Sequence, residues 1–264
     1  MRKQLATHAG FVGIRDAAAA RVPLASARAL VERTADEVRA TLEHLGTSRA
    51  GYGWSGGKDS QALRVVLDAA GVFPSVLGVA HDLEIPAFLA WVEQHRPANL
   101  HVVDNGWGLE TLAEKPCLLF PTAASVAYRW FAGTQHFAQN LFTRQFDLDV
   151  LILGRRLEDG NQTGDHAGGF TRKRENGREL VRYNPIRKWS HEEVFAVCHH
   201  YGMALPPFYD YPRGFVVGTG PWPKRRVPNH DQGWSEVFSI DPAIVVAAAA
   251  VLPEAALWLQ NHAH

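Results

Sequence analysis

Six consecutive residues, Ser55-Gly56-Gly57-Lys58-Asp59-Ser60, carry the densest anion chemistry in the chain. Two adjacent glycines let a backbone bend tightly and turn its N–H groups onto one anion. A helix that follows adds its positive end at the same spot. Lys58 supplies a full charge, and Ser55 and Ser60 supply hydroxyl donors, so the set reads as a cradle for phosphate or pyrophosphate. The Walker phosphate loop is excluded, because Tyr52 stands where its first glycine belongs and Asp59 follows the lysine. Gly51, Gly53 and Gly56 satisfy the dinucleotide GxGxxG spacing, yet the stretch from Leu45 to Ala50 is no buried strand to precede it. A ligand-free glycine turn is the plainer alternative, and Gly-Gly-Lys-Asp-Ser is too well adapted to an anion for it to be preferred.

Other candidates are sparser. Arg155 and Arg156 follow Gly154 at the end of an apolar run, where a forked guanidinium would clamp a phosphate or an anionic acceptor. Their plain reading is a solvated loop start. His81-Asp82 follows another apolar run, where His81 reads equally as an ordinary strand-end residue. Nine Lys or Arg lie between Arg155 and Lys188 against five acids, and Lys224-Arg225-Arg226 sits beside Trp222. A charge run is usually a solvated face. Interleaved with Tyr209, Tyr211, Phe215 and Trp222, these charges suggest instead a hold on a large anionic acceptor, a nucleotide or nucleic-acid base. His199-His200, His262 and His264 have no metal-ligand spacing, so no transition metal is assigned.

Elements that would position these groups can be read from periodicity. Leu24, Ala27, Val31, Val38, Leu42 and Leu45 recur at helical spacing, and Gly46 closes that helix. A strand at about Ala50 to Trp54 leads into the glycine turn and a helix from Asp59 to Ala70. Strands at Val76 to Ala80, Leu100 to Val103, Val150 to Leu153 and Glu179 to Tyr183 follow. Helices are expected at Pro86 to His95, Thr122 to Phe142, Ser190 to Tyr201 and Pro242 to Gln260. Ser190 and Glu193 form a capping-box pair. The polar stretch from Arg155 to Arg178 reads as a long loop, and Pro206 to Asn229 as a Pro, Gly and aromatic-rich tail. Strands apolar on both faces, alternating with helices, predict a three-layer α/β fold: a mostly parallel sheet with helices on both faces. The expected organisation is an N-terminal helical segment at 1–48, a nucleotide-binding α/β domain at 49–204 and a C-terminal extension of it at 205–264.

Residues 55–60 match the SGGxDS signature of PP-loop ATP pyrophosphatases and the PAPS reductase-like adenine-nucleotide enzymes, and the chain resembles that family. A second block, Leu153-Gly-Arg-Arg-Leu-Glu-Asp-Gly160, is similar to its strand-end Gly-x-Arg-x-x-Glu segment. A third, Tyr183-Asn-Pro-Ile-Arg-Lys-Trp-Ser-His-Glu-Glu-Val194, continues through Leu205-Pro-Pro-Phe-Tyr-Asp210 and resembles its NPI and tryptophan stretch. The resemblance implies a five-stranded parallel sheet, the adenine nucleotide alpha hydrolase-like arrangement, with the nucleotide over the strand ends. ATP, or PAPS or APS, is the implied ligand together with Mg²⁺. Gly56, Gly57, Lys58 and Ser60 would hold departing pyrophosphate, with Ser55, Asp82 and Gly154 around the nucleotide. Asp59 would help position Mg²⁺, and Lys58, Asp59, Arg155 and Arg156 are the catalytic candidates. The reaction implied is ATP cleavage between the α and β phosphates to adenylate an unidentified acceptor. Sulfonucleotide reduction and a non-catalytic regulatory subunit are the alternatives.

Cysteine usage weighs on that choice. Reductases of this kind carry a cysteine near the C-terminus, and none lies from Val227 to His264. Cys117 and Cys198 are the two cysteines, far apart and in apolar settings that read as buried small hydrophobes. Two thiols are too few for a four-thiolate zinc or iron–sulfur site, so neither is expected. Lys+Arg and Asp+Glu balance at 27 each, which argues against coating nucleic acid or a membrane through bulk charge. Neither a bilayer-spanning run nor a signal core is evident, and a cytoplasmic protein is expected, acting as a homodimer or with a partner subunit.

Overall fold

The computed structural model describes residues 7–161, 163–164, 170–175 and 178–262. Two helices come first, α1 (His8–Arg21) and α2 (Leu24–His44), then β1 (Ala50–Gly53), α3 (Lys58–Ala70), β2 (Ser75–Val79) and α4 (Pro86–His95). They are followed by β3 (Leu100–Asp104), α5 (Leu109–Glu114), α6 (Ala124–Phe131), α7 (Phe137–Gln145) and β4 (Val150–Ile152). β5 (Phe170–Glu175), β6 (Arg178–Tyr183) and α8 (His191–His200) come next. The chain ends in α9 (Gly214–Val217), α10 (His230–Ile240), α11 (Pro242–Ala249) and α12 (Pro253–His262). The strands form one sheet in the order β3-β2-β1-β4-β6-β5. β1 pairs in parallel with β2 and β4, and β4 with β6, so Gly51 lies opposite Leu151 and Val150 opposite Val181. β5 alone is antiparallel, with Phe170 opposite Tyr183. The result is the expected three-layer α/β architecture, with six strands in place of five.

Local chemistry explains the element ends. α2 buries Ala27, Leu30, Val31, Thr34, Ala35 and Val38; Ala27, Val31 and Val38 belong to the stripe read from its periodicity, whereas Leu24 is exposed. α3 ends where Gly71 turns left-handed at φ 82°. At α8, Ser190 Oγ accepts from Glu193 N at 3.1 Å and Glu193 Oε2 accepts from Ser190 N at 2.7 Å, so the capping box is formed. Other elements differ in detail from the expectation. α1 was not legible, because it buries only Phe11 and Ala18 and carries no strong stripe. Part of the loop expected from Arg155 to Arg178 is β5, a polar edge strand; residues 162, 165–169 and 176–177 of that stretch lie outside the described residues. The helix expected from Thr122 to Phe142 is present from Ala124 to Gln145, with a π-helical turn, Ala132–His136, inside it. Pro253 starts α12 and splits the helix expected from Pro242 to Gln260.

By contacts the chain divides into two compact units that alternate along the sequence. The first comprises Met1–Leu77, His95–His101 and Asn140–Pro206. Its core is built from Tyr52, Trp54, Leu63, Val66, Leu151, Ile152 and Val194, all buried. Gly51 leaves no room for a side chain: a Cβ there would stand 2.8 Å from both Leu148 and Phe142. The second unit comprises Gly78–Gln94, Val102–Gln139 and Pro207–His264. Phe120 is at its centre, edge-on to Trp234 at 5.0 Å and tilted against Trp222 at 5.9 Å. Each such ring contributes roughly 1.5–3 kcal/mol of burial.

Candidate phosphate site

β1 runs into Trp54, whose N–H donates to Val76 O at 2.9 Å and whose indole donates to Gln61 Oε1 at 3.1 Å. The chain then turns at Gly56, in the left-handed region at φ 72°, and Gly57 caps α3 in an extended conformation. Ser60 Oγ donates to Gly57 O at 2.9 Å and accepts from Ser55 N at 3.2 Å, and Ser55 Oγ accepts from Gly57 N at 3.4 Å. The two serines therefore stitch the turn into shape. The amides of Lys58, Asp59 and Ser60 open the helix, where no helical carbonyl precedes them.

The second sequence block is brought onto this turn. A Cβ on Gly154 would lie 3.1 Å from the Asp59 carbonyl oxygen, so the end of β4 runs hard against the first turn of α3. Lys58 is buried, and its Nζ donates to the two Asp59 carboxylate oxygens at 2.9 and 2.8 Å. It also lies 3.5 Å from Asp159 and 5.8 Å from the Phe11 ring centroid. Arg156 is 0% exposed. Its Nε donates to Asp59 Oδ1 at 2.7 Å, Nη1 to Trp189 O at 2.9 Å and Glu158 Oε2 at 3.3 Å, and Nη2 to Asp159 Oδ1 at 2.9 Å. Nη2 also meets His191 Nδ1 at 2.7 Å. A guanidinium has only donors, so Nδ1 accepts and the neutral ring carries its proton on Nε2. His191 N donates to Glu158 Oε2 at 2.6 Å, and its ring lies edge-on to Phe11 at 4.8 Å. All three sequence blocks thus meet at one side chain.

Electrostatics follow from these partners. Burial pushes the Asp59 carboxyl up, but Lys58 and Arg156 outweigh it and hold it below the usual carboxylate range. Burial, then the charges of Arg156 and Lys58, hold His191 below an ordinary imidazole against the pull of Glu158 and Asp159. Two expected roles change. Arg156 has its five donors engaged inside the protein, so in this arrangement it clamps no ligand. Asp59 does not fit the Mg²⁺ role expected of it, because its oxygens already hold an ammonium and a guanidinium. Among the described residues no group of three or more His, Cys, Asp or Glu could hold a metal ion. Arg155, half-buried, is the arginine that remains a candidate for a phosphate or acceptor.

Cys198 is buried, and its thiol donates to Lys58 O at 3.5 Å. Burial first, and then the Asp59 charge, push it up to about 12. Cys117 is exposed, contrary to expectation, with Arg129 Nη1 at 4.0 Å from its sulfur.

Within the second unit, Asp82 lies in the turn His81–Leu83 and is exposed. With Glu84, Leu109, Trp222, Asp241 and Ile244 it lines a cavity of about 190 Å³. In the basic and aromatic tail several side chains are engaged within the protein. Trp222 is buried, and Tyr209 stacks on Phe215 at 4.3 Å. Arg213 grips Glu236 with a fork at 2.8 Å on each arm, and Arg225 reaches Glu236 at 3.2 Å and Pro212 O at 2.8 Å. Arg226 donates to Thr122 O at 3.1 Å. Of the nine bases expected between Arg155 and Lys188, Arg156 and Arg182 are buried. The sequence reading missed Glu158, Asp159, Trp189 and His191 as partners of Arg156. Glu158 and Asp159 stand two and three residues from Arg156 in the second block, whereas Trp189 and His191 lie 33 and 35 residues away in the third, beyond any local signal.

No protein-family model matches the chain, and no curated protein matches it. Among solved structures it is similar to a phosphoadenylyl-sulfate reductase from Candida auris, in complex with phosphate. That match has TM-score 0.47 at 14% identity, over 71% of this chain and 94% of that one. It is similar to an FMN adenylyltransferase from Candida glabrata, in complex with FAD and inorganic pyrophosphate. Here the TM-score is 0.48 at 12% identity, over 83% and 73% of the two chains. A U34-tRNA thiolase from Methanococcus maripaludis gives 0.39 at 13%, over 89% and 80%. These likenesses are distant, and the residues of the site carry the functional reading. What the chain itself shows is a three-layer α/β fold with a mostly parallel sheet, in which the glycine turn follows β1 and opens α3.

Proposed function

We propose that the chain is a PP-loop enzyme that binds ATP, cleaves it between the α and β phosphates and transfers the adenylyl group to an acceptor, releasing pyrophosphate. The observation that carries this reading is the 55–60 turn, with a left-handed Gly56, a Gly57 cap and the amides of α3 at a strand's carboxyl end. In this reading the β and γ phosphates lie on the amides of Gly56, Gly57, Lys58 and Asp59, with the hydroxyls of Ser55 and Ser60 beside them. Fixed donors stabilise the charge that grows on the leaving pyrophosphate more than they stabilise bound ATP, which lowers the barrier. Lys58 adds charge at the start of α3, and Arg155 faces the α-phosphate or an anionic acceptor. Mg²⁺ comes with the nucleotide, and no residue is assigned to hold it.

Sulfonucleotide reduction needs a thiolate. Cys198, with its thiol pushed up to about 12, does not supply one at neutral pH, so that alternative rests on Cys117. The test is a panel of ATP, pyrophosphate, PAPS and APS in thermal-shift measurements, followed by pyrophosphate release from Mg-ATP with candidate acceptors. ATP and pyrophosphate are expected to raise the melting temperature by linkage, and acceptor-dependent pyrophosphate release to follow. Lys58→Ala is expected to weaken ATP binding by about tenfold, as loss of a charge-assisted contact does. Unchanged affinity in that variant counts against the cradle. Sulfite production from PAPS that disappears in Cys117→Ser would replace this reading with the reductase.

A further inference from the structure

Arg156 makes more contacts than a buried ion pair requires. Asp59 comes from the first turn of α3, Glu158 and Asp159 from the segment after β4, and Trp189 O and His191 from the start of α8. We infer that Arg156 is a positioning residue for the phosphate loop, fixing Asp59 and, through Asp59, the ammonium of Lys58 at the start of α3. The inference rests on the phosphate-binding reading above and says how the charge of that site is held in place. Its physical basis is a competition. Lys58 has a second carboxylate, Asp159, at 3.5 Å, and Arg156 binds Asp59 and Asp159 together. Without the guanidinium, both carboxylates turn to the one ammonium, and Lys58 leaves the two-oxygen contact it has with Asp59. A lysine at 156 keeps the charge but not the planar fork, and leaves buried acceptors unpaired. His191 closes the fork on its far side as a neutral acceptor. Asn in its place offers an oxygen near Nδ1, and leucine offers none.

Pyrophosphate binding to the full chain is measured by calorimetry for the wild type and for Arg156→Lys, Arg156→Gln, His191→Asn and His191→Leu. Each is measured well below its own melting temperature. Arg156→Lys, Arg156→Gln and His191→Leu are expected to bind pyrophosphate at least about tenfold more weakly, the cost of one lost charge-assisted contact. His191→Asn is expected to stay within about threefold of the wild type, because the acceptor is kept. A merely structural role would lower the melting temperatures of all four and leave the affinity of the folded protein unchanged, and that result overturns the inference. If the arginine variants do not fold, the two histidine variants decide: equal affinity in both overturns it. A wild type that binds neither pyrophosphate nor ATP overturns the phosphate reading itself, a failure distinct from the others.

Discussion

A few atoms decide what the phosphate turn and the cysteines can do. Gly56 sits at φ 72°, where a side chain costs about 1–2 kcal/mol of backbone strain. Gly56→Ala is therefore expected to lower stability by about that amount and to weaken pyrophosphate binding, read by urea denaturation and calorimetry on one preparation. Wild-type affinity in that variant would show that the turn does not need its left-handed residue to bind. Thiol chemistry divides as sharply. Cys117 is exposed and Cys198 is buried with its thiol pushed up to about 12. A disulfide reagent at pH 8 is expected to modify one thiol in the native protein and the second only after denaturant is added. Two fast thiols would reopen Cys198 as a nucleophile.

Elements place those atoms, and here the sequence was legible wherever one face carried the burial. α2, α4 and α8 appear at the bounds their periodicity, proline and capping box predict, because each signal is local. α1 and β5 were not legible for a physical reason. α1 buries two residues, and β5 is an edge strand whose sequence, Phe170-Thr-Arg-Lys-Arg-Glu175, carries almost no apolar alternation. The three motif blocks were visible one by one. Their meeting point at Arg156 was not, because it depends on the segment after β4 meeting the start of α8, and Arg156 itself was expected to face a ligand. The capping box of α8 links element to site, since His191 is the first residue after Ser190. Ser190→Ala is expected to cost about 1 kcal/mol of stability through the lost cap. It should also weaken pyrophosphate binding by loosening His191 against Arg156. Calorimetry showing lost stability with unchanged affinity would separate the cap from the site.

On the scale of the molecule, formal neutrality conceals charges that are buried in pairs, and the least expected pair belongs to the second unit. Glu84 is 3% exposed, neither carboxylate oxygen has a hydrogen-bond partner of ordinary geometry, and burial pushes its carboxyl up to about 8 despite the pull of Lys224. Lys224 is pushed down to about 8, by burial first, against the pull of Glu84. The sign of the linkage follows from proton counts. Between the ordinary carboxylate range and pH 8 the folded chain keeps a proton on Glu84 that the unfolded chain has released, so stability falls as pH rises. Above pH 8 the unfolded chain holds the Lys224 proton that the folded chain has lost, so this pair favours folding again up to the ordinary lysine range. Glu84→Gln removes the falling limb. Six of the eight tryptophans, Trp91, Trp107, Trp130, Trp222, Trp234 and Trp258, belong to the second unit, so tryptophan fluorescence reports chiefly on it. Urea unfolding followed by fluorescence is therefore expected to show the wild type losing stability between pH 5 and pH 8. Glu84→Gln should lose distinctly less over the same interval. Parallel curves for the two proteins would mean that Glu84 ionises as it does in the unfolded chain, and that the buried pair sets no part of the pH dependence.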